Sequence, residues 1–187
     1  MNDCEQIELR NGPLSFTAWS RGQGPLVLLI HGFPDLPQTW ASQLHTLAAA
    51  GYRAVAVTSR GYERSSQPAD NNYQATALAT DVEAWLDSLG AEQAHLVGHD
   101  WGAAISYSAA ASQPERFTSL TALSLPHTGR LQEVMPSSLR QLWLSRYIFL
   151  FQLAGVAEKK LSKQQFAYVD TLWQRWSGIG HTSCILA

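Results

Sequence analysis

The chain has 187 residues, a length that suits one domain with a substantial buried core. Hydrophobic residues make up 45% of the chain and charged residues only 15%, and the formal net charge is -2. This composition argues against a basic nucleic-acid-binding surface and against a disordered tail, and it favours a small uncharged partner.

The cysteines and the apolar segments indicate the cellular setting. Cys4 and Cys184 form neither a disulfide framework nor a metal-ligand pattern, so we expect two free thiols in a reducing compartment, with no metal ion and no cofactor. Residues 1–10 carry acids and lack the apolar core of a secretory signal. The longest apolar stretches, 26–30 and 147–151, are far shorter than the about 20 residues of a membrane span. We therefore expect a cytoplasmic protein that contacts no membrane.

The first 125 residues predict a hairpin followed by alternating strands and helices. Two extended runs, 5–10 and 14–20, flank an Asn-Gly-Pro turn and predict the hairpin. Beyond it, the pattern predicts strands at 25–30, 53–58, 94–98 and 117–125 and helices at 38–50, 73–89 and 103–111. This alternation is typical of an α/β fold with a doubly wound, mostly parallel sheet.

The sequence changes character after Pro126. Residues 138–176 are helix-like, rich in aromatic side chains and without a further strand, which predicts the start of a helical lid. We therefore divide the chain into an α/β core at 1–130, a partial helical cap at 131–177 and an atypical tail at 178–187.

One strand-to-helix turn carries the strongest chemical signal. The sequence Gly98-His99-Asp100-Trp101-Gly102 joins a predicted strand directly to a predicted helix. Glycines on both sides of the central residue are typical of a nucleophile elbow, which holds that side chain clear of the sheet. An aspartate nucleophile would attack sp3 carbon, as in an epoxide or an alkyl halide, and form an ester that water hydrolyses. The alternative is that Asp100 is only the N-cap of the next helix.

The residues after the first apolar strand predict an oxyanion hole. In the turn His31-Gly32-Phe33-Pro34, the backbone N–H of Phe33 is expected to act with that of Trp101 on the negative charge that forms when water attacks the ester. We count Gly32 and His31 with these oxyanion and substrate-binding residues. His31 is expected to brace the turn, and a role as catalytic base is the alternative.

Three motifs in this order resemble the epoxide hydrolase and haloalkane dehalogenase branch of the α/β-hydrolases: HGFPD at 31–35, SRGYERSSQP at 59–68 and GHDWGA at 98–103. The resemblance covers residues 20–176. It implies the α/β-hydrolase fold with the start of a helical lid and with the late strands of the family absent, and it implies that Asp100 is the nucleophile.

The resemblance also implies a role for one lid residue. Segment 146–158 looks like the part of soluble epoxide hydrolases that contains a ring-opening tyrosine, so Tyr147 would protonate or hydrogen-bond the epoxide oxygen. The alternative is that Tyr147 is one more lid aromatic. Phe33 stands where haloalkane dehalogenases usually have a halide-binding asparagine, which favours a small apolar epoxide as substrate.

Two features depart from the family pattern. Thr58 and Glu63 differ from the usual motif of the loop around 60–66, which we expect to be structural and to contact no substrate. The family's late histidine base and the acid that orients it are also not found. His181 is the only histidine late enough in the chain, and the tail 178–187 that contains it has no place in the pattern.

We interpret this tail as the product of a premature stop after a shifted reading frame, against a genuine short protein or a deliberate fragment. On this interpretation a sheet edge and apolar lid surface are exposed, which favours aggregation. A small epoxide would alkylate Asp100, and the ester would accumulate because no base activates water.

Two other functions remain open at this stage. Dehalogenation of alkyl halides or haloacids would use the same aspartate nucleophile, and a non-catalytic small-molecule-binding module would use the fold without turnover. The sequence predicts neither the particular epoxide nor the oligomeric state.

Overall fold

A computed structural model describes residues 1, 3–127, 129, 153, 155–162 and 166–176. The chain divides into two compact units, Met1–Thr128 and Gly129–Ala187. Several features of the sequence interpretation lie outside the described residues, namely Tyr147, residues 131–152 of the predicted cap, and the tail 178–187 with His181 and Cys184.

The first unit contains a six-stranded sheet in the order β1-β2-β4-β3-β5-β6. Its strands are β1 (Glu5–Asn11), β2 (Leu14–Arg21), β3 (Leu26–Ile30), β4 (Arg53–Val57), β5 (Ala94–His99) and β6 (Phe117–Leu123). The first two form the predicted antiparallel hairpin, β2 pairs antiparallel with β4, and the remaining pairs are parallel. The prediction of a mostly parallel α/β sheet is therefore confirmed.

Helices cover both faces of this sheet. A short 3-10 helix, Pro37–Trp40, leads into α1 (Ala41–Ala49), and the chain later forms α2 (Ala75–Ser88) and α3 (Trp101–Ser112). Because successive side chains of a strand point to opposite faces, the five buried residues of β3 contribute to two separate cores. Strand β3 is apolar throughout because neither of its faces is open to water.

One core lies on the α1 side of the sheet and the other on the side of α2 and α3. The first contains the buried residues Val27, Leu29, Trp40, Leu44, Ala54 and Ala56. The second contains, among others, Leu28, Ile30, Val55, Val57, Val82, Trp85, Leu86, Ile105 and Ala109. The apolar side chains of α1 and α2 thus lie on the helix faces that pack on the sheet.

The strand order reverses at β3. The chain passes from β3 to β4 on one side of it and then crosses to β5 on the other side. In open α/β sheets such a reversal leaves a crevice at the carboxyl ends of the strands, and ligands bind there. The turn after β3, residues 31–35, meets the end of β5 and the start of α3, residues 99–102, at this crevice.

Most element boundaries differ from the sequence prediction by one to three residues, and two of these differences lie beside the elbow. Helix α3 begins at Trp101 rather than at residue 103, because the elbow leaves no spacer between strand and helix. Strand β6 ends at Leu123 rather than at residue 125. Ser124 has φ of +63°, which turns the chain out of the extended conformation.

The second unit is helical where the structure describes it. It contains the helices Val156–Leu161 and Ala167–Trp176, with Ala157 and Leu172 buried. Within the described ranges of both units, no helix has the length and apolar character needed to cross a membrane.

Candidate active site

Asp100 stands on a sharp turn between β5 and α3. Its backbone has φ of +53° and ψ of -117°, a conformation that residues other than glycine seldom adopt. Its N–H donates to the carbonyl oxygen of Leu123 at 3.0 Å, and its own carbonyl accepts the N–H of Ala103 at 3.0 Å. Hydrogen bonds to the end of β6 and to the first turn of α3 therefore hold the strained residue in place.

The flanking glycines allow the helix to approach the sheet closely. A Cβ on Gly98 would collide with the carbonyl of Gly102 and would lie 2.5 Å from the hydroxyl oxygen of Ser106. A Cβ on Gly102 would collide with the carbonyl of Ile30 and would lie 2.8 Å from that of His31. Both positions therefore require glycine for steric reasons, which an ordinary helix N-cap does not.

The Asp100 side chain makes no capping hydrogen bond to α3. Its Oδ1 instead accepts the backbone N–H of Phe33 at 3.0 Å. Gly32 allows this approach, because a Cβ at that position would lie only 2.5 Å from the Cβ of Asp100. The structure thus joins Asp100, Phe33 and Gly32 in one site.

Trp101 is the first residue of α3, and 46% of it is exposed. The first N–H groups of a helix have no acceptor within the helix, so its N–H is available in principle to a neighbouring oxygen. Of the two N–H groups predicted to form an oxyanion hole, that of Phe33 lies against the Asp100 carboxylate. The expected role of the Trp101 N–H as second donor stays a prediction.

His31 is buried, and both of its ring nitrogens make hydrogen bonds. The backbone N–H of Ser59 donates to Nε2 at 3.1 Å, so the ring proton lies on Nδ1, which donates to the carbonyl oxygen of Gly32 at 3.0 Å. Burial lowers the pKa of His31 to about 4, helped by the nearby His99 and opposed by the bond to Gly32. These contacts favour the bracing role over that of a base.

Tyr62 reaches the same turn from the loop after β4. Its hydroxyl donates to the carbonyl oxygen of Gly32 at 3.2 Å, and its ring packs edge-on against His31 with centroids 4.6 Å apart. Burial of the hydroxyl raises the pKa of Tyr62, and the carboxylates of Asp100 and Asp35 raise it further. The sequence interpretation assigned this loop only a structural role and missed the contact. The contact could have been expected from the fold, because β3 and β4 are parallel neighbours and the residues that follow them lie at the same edge of the sheet.

A second carboxyl group lies beside the elbow. Asp35 is buried, and its Oδ2 lies 3.7 Å from Nδ1 of His99, which gives an ion pair when His99 is protonated. Burial raises the pKa of Asp35 against the opposing effects of His99 and Thr39, and the charge of Asp100 raises it further. The sequence interpretation did not single out Asp35.

The loop that carries Tyr62 is fixed by buried charge. Arg60 donates to Asp81 through Nε at 2.7 Å and through Nη2 at 2.6 Å, and the side chain of Asn11 donates to the same carboxylate at 2.8 Å. Glu63 accepts the backbone N–H of Thr17 at 2.9 Å. The departure from the family pattern at Glu63 thus adds a contact between this loop and the sheet.

No cluster of three or more histidine, cysteine, aspartate or glutamate side chains with metal-binding geometry occurs in the part of the chain that the structure describes.

Comparison with known proteins agrees with this architecture. A family model described as "alpha/beta hydrolase fold" matches residues 25–159. The chain belongs to the α/β-hydrolase family. Epoxide hydrolase 4 of Homo sapiens is 35% identical to this α/β-hydrolase over 185 residues, which cover 96% of this chain and 51% of that protein. Epoxide hydrolase B of Mycobacterium tuberculosis is 46% identical over 117 residues, which cover 62% of this chain and 33% of that protein.

Solved structures point to the same branch. The crystal structure of an epoxide hydrolase from Vigna radiata matches this α/β-hydrolase with a TM-score of 0.75 at 32% sequence identity, covering 87% of this chain and 54% of that one. The predicted resemblance to the epoxide hydrolase branch is therefore confirmed. The chain spans about half the length of the curated relatives it matches.

Proposed function

We propose that this α/β-hydrolase acts on small apolar epoxides through a covalent Asp100 ester and yields a diol. One observation carries the proposal: the Asp100 carboxylate leaves its own helix uncapped and accepts the N–H of Phe33 instead. A residue that only capped the helix would gain nothing from a strained backbone and two flanking glycines. The relatives named epoxide hydrolases support an epoxide as the substrate.

The hydrogen bond assigns different tasks to the two oxygens of Asp100. Because Oδ1 is held by Phe33, Oδ2 is the atom that attacks a ring carbon. A new Oδ2–C bond forms, the ring C–O bond breaks, and the epoxide oxygen keeps the electron pair. That oxygen takes a proton from Tyr147 in the proposed lid, because a phenol can act as general acid to a developing alkoxide.

The second step returns the enzyme to its starting state. Water attacks Cγ of the ester, and the negative charge of the tetrahedral intermediate develops on Oδ1, the oxygen that already faces the N–H of Phe33. Cleavage of the Cγ–Oδ2 bond then releases the diol, whose leaving oxygen takes one proton of the water, and the other proton returns to the Tyr147 phenolate. Trp101 is proposed as the second N–H donor, and His31 and Gly32 hold the turn that provides the first.

Release of the diol is the step that this chain is expected to perform poorly. The water must lose a proton to a base, and an acid normally orients that base. His31 engages both of its ring nitrogens, so it is unsuited to this task. We therefore expect the 187-residue chain to accumulate the Asp100 ester and to turn over very slowly. We also propose that it acts in the cytoplasm.

Alkylation of Asp100 tests this proposal directly. The purified chain is incubated with styrene oxide, and intact mass spectrometry with peptide mapping locates any adduct. We expect one added epoxide mass on the peptide that contains Asp100. Asp100→Asn should abolish this adduct because an amide is a poor nucleophile, whereas Asp87→Asn removes an exposed carboxylate and should keep it.

Two outcomes would contradict the proposal. An adduct that persists in Asp100→Asn would show that another residue reacts, and the absence of any adduct in the folded wild-type chain would reject Asp100 as the nucleophile. A parallel incubation with an alkyl bromide, scored by released bromide, separates epoxide opening from dehalogenation. We expect the epoxide to react faster.

A further inference from the structure

The peptide unit between Gly32 and Phe33 joins the proposed nucleophile to three hydrogen-bond donors. Its N–H, on Phe33, donates to Oδ1 of Asp100 at 3.0 Å. Its carbonyl oxygen, on Gly32, accepts the N–H of Asp35 at 3.1 Å, Nδ1–H of His31 at 3.0 Å and the hydroxyl of Tyr62 at 3.2 Å. A carbonyl oxygen has two lone pairs, so three donors on one oxygen are an unusual concentration.

These donors act on the N–H through the peptide bond itself. The carbonyl and the N–H of one peptide unit are conjugated, so electron density drawn toward the oxygen makes the N–H more acidic and a stronger donor. The same contacts fix the plane of the peptide and therefore the direction of its N–H. The contacts to the Gly32 carbonyl thus align and polarise the N–H of Phe33, which is the proposed oxyanion donor.

Tyr62 differs from the other two donors because each of those also has another role in the turn. The N–H of Asp35 closes the turn as backbone, and His31 also accepts a hydrogen bond from Ser59. The Tyr62 hydroxyl reaches in from another loop, with its ring held edge-on against His31. The raised pKa of Tyr62 keeps its hydroxyl protonated, as a donor must be.

We propose that Tyr62 is a positioning residue that aligns and polarises the Gly32–Phe33 peptide and so strengthens the N–H that stabilises negative charge on Asp100. This inference rests on the proposed function of Asp100. It adds a residue that acts on Asp100 through the Gly32–Phe33 peptide.

The proposal predicts different effects on the two chemical steps. During attack on the epoxide, Asp100 loses negative charge, so a stronger donor on Oδ1 does not accelerate that step. During ester cleavage, Oδ1 gains negative charge, so a stronger donor accelerates it. Tyr62→Phe should therefore leave alkylation unchanged or slightly faster, and it should slow ester cleavage about two- to fivefold, a fraction of the effect of losing an oxyanion donor outright.

The first measurement does not depend on epoxide chemistry. In the uniformly 15N-labelled chain, the Phe33 amide proton should resonate far downfield because it bonds to a carboxylate. Tyr62→Phe should shift this proton upfield. Tyr107→Phe is the matched control, because Tyr107 also donates its hydroxyl to a backbone carbonyl, that of Leu125, and should leave the Phe33 resonance unchanged.

The second measurement separates the two steps. Styrene oxide alkylates the chain, excess epoxide is removed, and hydroxylamine then cleaves the ester, so that no enzymatic base is needed. The hydroxylamine nitrogen attacks Cγ, the charge forms on Oδ1, and the Cγ–Oδ2 bond breaks. The diol leaves with the proton that hydroxylamine loses, and Asp100 remains as a hydroxamate. Mass spectrometry follows both rates.

The outcomes are distinct. A slower ester cleavage with unchanged alkylation and an upfield Phe33 proton supports the role of Tyr62. Equal slowing of both steps indicates general damage to the fold and overturns it, as does an unmoved Phe33 proton. If the wild-type chain forms no ester, the function proposed for Asp100 fails, and the amide shift alone decides the role of Tyr62. If Tyr62→Phe does not fold, a fluorotyrosine at position 62 is a more acidic donor and should shift the Phe33 proton further downfield.

Discussion

At the scale of single residues, the site depends on positions where a side chain would not fit. Gly102 lies in the first turn of α3, where the helix passes directly over the carbonyl groups of Ile30 and His31. Helix propensity alone would favour alanine there by about 1 kcal/mol. The close contact with backbone, which cannot rotate away, is the larger effect.

We therefore expect Gly102→Ala to destabilise the fold by about 1–3 kcal/mol, the usual cost of an overpacked core position. Urea unfolding followed by circular dichroism measures the change. Ser108→Ala lies in the same helix and should change the free energy of unfolding by less than about 0.5 kcal/mol. A Gly102→Ala protein as stable as wild type would mean that α3 does not approach the sheet this closely.

His31 should make the fold sensitive to acid. Its pKa is about 4 in the folded chain and 6.5 in the unfolded reference, so between these values the unfolded chain binds a proton that the folded chain does not. The free energy of unfolding should fall by roughly 3 kcal/mol as the pH drops through this window. Above pH 6.5 the contribution is fully present and constant.

Urea unfolding at a series of pH values checks this prediction. His31→Gln should unfold with a shallower pH dependence between pH 4 and 6.5, whatever its stability at neutral pH. His45→Gln changes an exposed histidine of α1 and should follow the wild-type curve. Parallel curves for wild type and His31→Gln would mean that the pKa of His31 is not lowered in the folded state.

The sequence predicted some of these residues and missed others for a physical reason. Asp100 and Phe33 belong to short motifs whose local backbone decides their position, so a pattern in the sequence reveals them. Tyr62 and Asp35 also lie in quoted motifs, but their partners, Gly32 and His99, come from other segments of the chain. Their contacts depend on how the loops fold back, which no local periodicity encodes.

At the scale of elements, buried ions fix the loop after β4. The guanidinium of Arg60 and the carboxylate of Asp81 are 7% and 1% exposed, and their bidentate contact links this loop to α2. The hydrogen bond to Asp81 raises the pKa of Arg60, so the guanidinium stays charged. Removing one partner leaves the other buried without its counter-charge, which is far more costly than losing the pair's net attraction.

We expect Asp81→Asn to lower the free energy of unfolding by about 3–5 kcal/mol. Arg116 and Asp87 form the comparison pair, because the Asp87 side chain is 70% exposed and solvent screens the interaction. Asp87→Asn should therefore cost less than about 1 kcal/mol. Equal losses in the two variants, measured by urea unfolding, would contradict the view that burial determines the effect.

Elements were predicted well where burial determines the pattern. The run 26–30 is apolar throughout because both faces of β3 are covered. The apolar side chains of α2 lie on the face that packs on the sheet. Element ends were predicted less well. The start of α3 and the end of β6 depend on backbone hydrogen bonds at the elbow, which the hydrophobic pattern does not report.

At the scale of the whole molecule, the sheet ends at β6 in the part of the chain that the structure describes. Among the described residues, β6 pairs only with β5, and several of its side chains are exposed, including Leu123 at 42%. A strand edge of this kind offers unpaired N–H and carbonyl groups to another chain. We therefore expect the 187-residue chain to associate with itself as its concentration rises.

A lysine on this edge should weaken the association. Thr121 lies in β6 and is exposed, and a charge there would have to be desolvated if a second edge paired with it. Thr121→Lys should reduce the fraction of oligomer at least about twofold in size-exclusion chromatography with light scattering, since each unfavourable increment of about 0.4 kcal/mol halves an association constant. Thr80→Lys introduces the same charge on the exposed side of α2 and should leave the oligomer fraction unchanged. An equal decrease in both variants would mean that net charge, and not the edge of β6, controls the association.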